Sequence, residues 1–238
     1  MFDLLIFVIA LISGATAAVV GFGIGSMLTP LLATSVGMSA AVAAVTIPHA
    51  IATAVRCWRL RGSIDRDVLW RFGLLSAAGG LGGALAYSRL GSAALTRVLG
   101  GLLLLTAVAQ LTGLAERWKP RGLVVGALGL ASGFFGGIAG NQGGLRSAAL
   151  TSFRLSAAAL VATSTAAGLL VDAARTPVYL WTSGAEVMSL WRPIAIATAG
   201  VLAGTFVGER ILFGLTPQTF RRVMGGAIGL LGIWLLSR

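Results

Sequence analysis

Within "GNQGGLRSAAL", Gly140–Leu150, the chain places Asn141, Gln142, Arg146 and Ser147 in glycine-rich backbone, just after a long uncharged run. Amides, a hydroxyl and a guanidinium at this spacing can bind an anion, because all four donate hydrogen bonds and one carries fixed positive charge. A second polar set reads Thr46, His49, Thr53 and Arg56, at i, i+3, i+7 and i+10, which is one face of a helix. A third holds Thr163, Ser164 and Thr165, followed by Asp172 and Arg175 at i, i+3, close enough in a helix to form an ion pair. His49 is the only histidine and the one side chain whose ordinary titration lies near neutrality, so proton coupling points first to His49 and then to Asp172.

Each set also has a plain structural reading. Arg56 and Arg175 sit near expected helix ends, where they either snorkel to the interface or gate a pathway together with Asp172. Thr46, Thr53, Thr163 and Thr165 either pack and bond back to their own helix or contact a ligand. His49 is either a satisfied core histidine or a ligand or proton site. Arg146 stands apart. It lies inside a short apolar segment about one turn past a glycine break, and an ionisable residue within a membrane segment is a functional candidate by default.

The elements that must carry these residues are membrane helices. Of 238 residues 57% are hydrophobic and 11% charged, too few polar groups to cover a soluble globule. Mean hydropathy is +0.93, and apolar runs approach the ~20 residues needed to cross a bilayer core. The net charge of +11 fits arginines in cytoplasmic loops better than a nucleic-acid surface. Cys57 is the only cysteine, so no intramolecular disulfide and no cysteine metal cluster is expected. The stretch "MFDLLIFVIALISGATAAVV" has no basic leader and reads as a first membrane segment, not a signal peptide.

The chain repeats itself. A shift of 119 residues lays Ser13-Gly14 on Ser132-Gly133, Gly21 on Gly140, Gly25 on Gly144, Leu31 on Leu150, Thr46 on Thr165 and Arg56 on Arg175. Further on, Trp70-Arg71 matches Trp191-Arg192, and "RVLGG" at Arg97–Gly101 matches "RVMGG" at Arg222–Gly226. This divides the chain into a first membrane repeat (1–115), a charged cytoplasmic linker (116–122) and a second repeat (123–238). Each repeat reads as five helical segments. In the first they run near 4–20, 26–35, 39–58, 68–87 and 93–114; in the second, near 123–138, 143–153, 156–174, 190–211 and 217–236. The second segment of each is short, about half a bilayer core, which implies broken or re-entrant helices meeting near the midplane.

Basic residues set the orientation. Arg56, Arg59, Arg61, Arg66 and Arg71 fill one loop of the first half, whereas the equivalent loop of the second has only Arg175 and Arg192. The next loop reverses that bias, with Arg210, Arg221 and Arg222 against Arg89 and Arg97. Equivalent loops of opposite bias place the halves in opposite senses, an inverted repeat. Inverted repeats with interrupted helices are the pattern of secondary transporters, whose substrates bind between the repeats. The candidate substrate-binding set is therefore Asn141, Gln142, Arg146, Ser147, Gly23, Gly25, Ser26, Thr29, Thr46, His49, Thr163 and Thr165, with glycine-freed amides and short-helix N-termini adding donors. Candidate coupling or gating residues are His49, Asp172, Arg175 and Arg56.

The paired stretches "GFGIGSMLTPLL" and "GNQGGLRSAALTSFRLSAAALVATSTAAGLLVDAARTPVY" resemble the TauE/SafE family, the sulfite exporters and toluene-sulfonate uptake permeases. The resemblance covers both halves and is most specific at Gln142–Ser147 and Val171–Arg175. It implies an inner-membrane carrier of small anions, typically sulfur oxyanions or organosulfonates, working without ATP. The chain departs from a "GGGxxxxPxL"-like pattern in its second half, where Asn141-Gln142 stand and Ala149 replaces the proline. The residues and the resemblance together imply export of a small anion such as sulfite by alternating access; a small-anion channel and a carboxylate carrier remain the alternatives. No enzyme is expected, since no Ser-His-Asp set, HExxH or paired carboxylates occur at helical register. No cofactor and no metal is expected, and no GxxxxGK[ST] loop is present. The expected partners are a small anionic substrate, the lipid bilayer and, as a homodimer, a second copy of the chain. With the five-arginine loop and the linker in the cytoplasm, both termini face the non-cytoplasmic side. A reporter active only in the cytoplasm, fused to the C-terminus, is expected to be silent.

Overall fold

A chain this poor in polar groups must satisfy its backbone within each segment, and only the helix does so without a partner strand. The computed structural model is accordingly all-helical among the residues it describes, which are 1–114, 119–141, 143–212 and 217–237. The helices are α1 (Phe2–Val20), α2 (Ile24–Val36), α3 (Met38–Leu60), α4 (Leu74–Tyr87), α5 (Ser92–Thr112), α6 (Leu123–Ala139), α7 (Gly143–Leu150), α8 (Ala157–Ser189), α9 (Trp191–Leu212) and α10 (Pro217–Leu236). A short turn capped by Asp65 and a π-turn over Leu69–Gly73 lead into α4, making one apolar run of Arg66–Tyr87. Among the described residues, six helices are long and apolar enough to cross a membrane: α1, α3, the Arg66–Tyr87 run, α5, α8 and α9. The helices α2, α6 and the Arg222–Leu236 part of α10 are apolar but shorter, and α7 has eight residues. This is a multi-pass membrane protein.

Element positions follow the sequence reading closely, with one informative difference. The spacing predicts that the third segment of the second half stops at Ala174, ahead of Pro177, yet α8 continues to Ser189 with Pro177 inside it. Proline removes a single N–H, and in apolar surroundings every other backbone group still needs a helical partner. The Thr176 hydroxyl donates to the Asp172 carbonyl at 2.6 Å beside the proline. The irregularity falls instead at Ser183, whose φ of −135° lies outside the helical range. Of the charged linker, Lys119–Gly122 is non-helical, while residues 116–118 lie outside the described part.

Packing joins helices distant in sequence. Along α1 and α9, Gly200, Gly204 and Gly208 step past Phe7, Leu11 and Ala15 in turn, so the two helices run parallel. Likewise Gly79 and Gly83 of α4 step past Leu130 and Phe134 of α6. By contrast α5 and α10 run antiparallel, with Gly100 against Leu236 and Gly225 against Leu111, and their core includes Leu95, Leu99, Leu103 and Ile228. Helices α3 and α8 pack on each other and carry most of the buried polar residues.

Between membrane helices, where lipid is as apolar as leucine, small residues that let backbones approach supply the contact energy. Gly133 is the tightest instance: a Cβ there would collide with the Ser76 carbonyl and come within 2.9 Å of the Gly80 nitrogen. The variant Gly133→Leu is expected to force α4 from α6 and destabilise the fold by about 2 kcal/mol or more. Thermal unfolding in detergent measures this directly.

Candidate functional site

Helices α1 and α6 end alike. Gly21 and Gly140 take left-handed conformations, φ 80° and 70°, and their amides close the last turns on Ala17 and Gly136 carbonyls at 3.0 Å. The chain then turns back into α2 and α7. These two breaks touch one another. Gly25 lies against the Gly140 carbonyl with no room for a Cβ, Gly143 lies against the Phe22 side chain, and the Ser26 hydroxyl is 3.4 Å from Asn141 Oδ1.

Beside the breaks stand α3 and α8, whose facing polar residues form one ionic centre. Asp172 binds Arg175 through Oδ1, at 3.0 Å to Nε and 2.9 Å to Nη2, and meets His49 Nδ1 through Oδ2 at 2.7 Å. Against an ionised carboxylate, Nδ1 is the imidazole nitrogen that carries the proton. Arg175 Nη1 donates to the Gly136 carbonyl at 2.6 Å, and the Tyr179 hydroxyl donates to the Gly137 carbonyl. The arginine therefore holds the end of α6 as well as the aspartate.

Arg146 of α7 reaches the other break. Its Nε donates to the Ser164 hydroxyl at 2.9 Å and its Nη2 to the Gly21 carbonyl at 3.1 Å, while its guanidinium lies over Gly168, which has no side chain to displace it. Its Nη1 is buried with no acceptor. Arg56 is the third buried guanidinium. Its Nη2 donates to the Thr53 hydroxyl at 3.3 Å, and its Nε and Nη1 have no acceptor. Relative exposures are 4% for Arg56, 2% for Arg146, and 1% for both Arg175 and Asp172, so all four are withdrawn from solvent and lipid. Among the described residues, three buried guanidiniums thus face one buried carboxylate. Arg146 lies within electrostatic reach of Asp172, Arg56 and Arg175, which makes the excess positive charge a property of one centre.

The structure sorts the candidates. It brings together Asn141, Arg146, Ser26, Thr29, His49, Thr165 and Asp172–Arg175 as buried polar residues at or beside the breaks. The Asn141 Nδ2, Thr29 Oγ1 and Thr165 Oγ1 atoms have no partner, as expected of groups that await a ligand. Gly23 caps α2 at φ 135°, and Gly25 makes the close approach of the breaks. Two threonines are otherwise occupied: Thr46 bonds back to the Val42 carbonyl at 3.1 Å, and the Thr163 hydroxyl accepts the Asp65 amide at 3.0 Å. Ser147 is half-buried, and Gln142 lies outside the described residues. Snorkelling is ruled out for Arg56 and Arg175 by their burial; Arg175 is mid-helix because α8 does not stop at Ala174. Sequence reasoning named Ser164 among the polar residues without placing it in the candidate site, and did not name Tyr179. Both were reachable from helical spacing, since Ser164 lies one turn before Gly168 and Tyr179 lies one turn beyond Arg175.

A helical multi-pass protein with uncompensated positive charge among the described residues of a buried centre has the chemistry of an anion transporter. The chain belongs to the family described as sulfite exporter TauE/SafE, whose model matches residues 6–235, nearly its whole length. No curated protein and no solved structure matches it significantly. Family membership makes it a membrane transporter of anions of the sulfite kind, not an enzyme, acting on a small anionic substrate across a lipid bilayer.

Removing the carboxylate should expose how much it supports. Asp172→Asn leaves Arg175 buried without its counter-ion, and breaking a buried pair in this way costs about 3–5 kcal/mol. The variant is expected to unfold at clearly lower temperature than the wild type in detergent.

Proposed function

We propose that the protein is a secondary carrier that exports a small sulfur oxyanion or organosulfonate, such as sulfite, across the inner membrane by alternating access. The observation that carries this reading is the excess of buried guanidinium over carboxylate, with the Arg146 Nη1 atom left open at the meeting of the two breaks. Leaving such donors unsatisfied costs about 1–3 kcal/mol each or more, a cost removed when an anion arrives. Asn141, Gln142, Ser147, Ser26, Thr29 and Thr165 complete the hydrogen bonding, with Gly23 and Gly25 supplying backbone donors at the start of α2.

Residues 1–115 and 123–238 act as two inverted repeats joined by the linker 116–122. The helix pairing supports this. Under the sequence repeat α1 corresponds to α6 and α9 to α4, so the α1–α9 and α4–α6 pairs exchange, while α3–α8 and α5–α10 map onto themselves. Rocking one repeat on the other opens the centre to each side in turn. In this reading the arginine-rich turn after α3 is cytoplasmic, both termini are outside, and the His49–Asp172 pair carries a coupled proton.

Thermal stabilisation of the detergent-purified protein by sulfite, sulfate, thiosulfate, methanesulfonate and acetate tests the site. At least one sulfur anion is expected to stabilise the wild type, and Arg146→Gln is expected to weaken its apparent affinity at least about tenfold. Equal stabilisation of both proteins removes Arg146 from the site. Saturable counter-exchange in proteoliposomes is the expected transport signature; an uncoupled ohmic current makes the protein a channel.

A further inference from the structure

The two halves carry one arginine at the same place in the repeat, Arg56 on α3 and Arg175 on α8, yet the two are held very differently. Three residues before Arg175 stands Asp172, whose Oδ1 takes both Nε and Nη2, and the remaining Nη1 goes to the Gly136 carbonyl. Three residues before Arg56 stands Thr53. It is neutral and short, and it accepts only Nη2, at 3.3 Å. The other two guanidinium nitrogens, Nε and Nη1, are buried and have no acceptor. An arginine so placed is costly unless something anionic joins it.

Among the described side chains, nothing on the neighbouring elements fills that role. The Asp172 carboxylate attracts Arg56, but its oxygens are already engaged by His49 Nδ1 and by Arg175 Nε and Nη2. His49, one helical turn away on α3, is committed to Asp172 and lies 3.4 Å from the Thr53 hydroxyl. Arg146 and Arg175 add only positive charge. Open donors remain on both edges of the Arg56 guanidinium, Nε on one and Nη1 on the other with Nη2 between them, and either edge can take an oxygen of an oxyanion.

We propose that Arg56 is the second guanidinium of the anion site, and that the transported oxyanion supplies the acceptor which Asp172 supplies to Arg175. Thr53 is then the residue that keeps the position open. This deepens the anion-carrier reading and rests on it. It makes the substrate a small oxyanion able to lie between Arg56 and Arg146 in place of the missing carboxylate.

The decisive variant installs that carboxylate. Thr53→Asp is expected to pair internally with Arg56, raise the melting temperature of the anion-free protein, and weaken stabilisation by sulfite, sulfate, thiosulfate or methanesulfonate at least about tenfold. Thr53→Asn, without the charge, is expected to retain anion stabilisation. A second variant covers misfolding of the first. Arg56→Gln is expected to melt no lower than the wild type when anion-free, yet to lose anion stabilisation at least about tenfold, whereas Arg175→Gln melts lower from the start. If Arg56→Gln keeps the wild-type response while Arg146→Gln loses it, the inference fails and the carrier reading stands. If Arg56→Gln melts as low as Arg175→Gln, Arg56 is structural and the inference fails. If no anion of the panel stabilises the wild type, both fall together.

Discussion

Breaking a helix inside an apolar slab leaves carbonyl groups that neither lipid nor water will satisfy, and the rest of this protein is arranged around that problem. Two helices, α1 and α6, stop at left-handed glycines, and in each case an arginine from elsewhere in the chain reaches the open end. Arg146 takes the Gly21 carbonyl, while at α6 Tyr179 takes the Gly137 carbonyl and Arg175 adds a second donor to the Gly136 carbonyl that the Gly140 amide also uses. Each arginine so used imports a charge that must itself be accommodated. Arg175 is balanced by Asp172. Arg146 keeps one nitrogen without an acceptor, so the solution to the backbone problem leaves an electrostatic one at the centre.

Such a centre can exist only in a scaffold that does not yield. The parallel pairs α1–α9 and α4–α6 supply it, because glycines on one helix meet backbone on the other with no side chain between. Close backbone contact is stiff, and it fixes where α1 and α6 end and hence where Gly21 and Gly140 lie. The long α8 has the complementary task. It places Ser164, Gly168, Asp172 and Arg175 along one wall and, by continuing through Pro177, adds Tyr179, so that the wall meets both breaks and α3. Packing, backbone satisfaction and charge are in this way one system.

Much of this was legible in the residues. The glycine breaks, the short helices after them, and the pairing of Asp172 with Arg175 all follow from local spacing, as does the exceptional position of Arg146. What spacing could not reach was the choice between alternatives for each polar side chain. Thr46 and Thr163 have the same composition and setting as Thr29 and Thr165, but the first two find partners and the last two do not. Arg56 and Arg175 both read as residues near helix ends, and burial by distant helices makes them something else.

The sequence by itself determined the class: a helical membrane protein interrupted at two glycine breaks. It did so because hydrophobicity, helical period and glycine placement act locally, within a turn or two of the residues concerned. Tertiary structure alone decided that Asp172 belongs to His49 as well as Arg175, that Arg146 holds Gly21, and that Arg56 is left with open hydrogen bonds. Those outcomes depend on which atoms lie within about 3 Å across a gap of more than a hundred residues, and hydrogen bonds discriminate at that range where composition cannot.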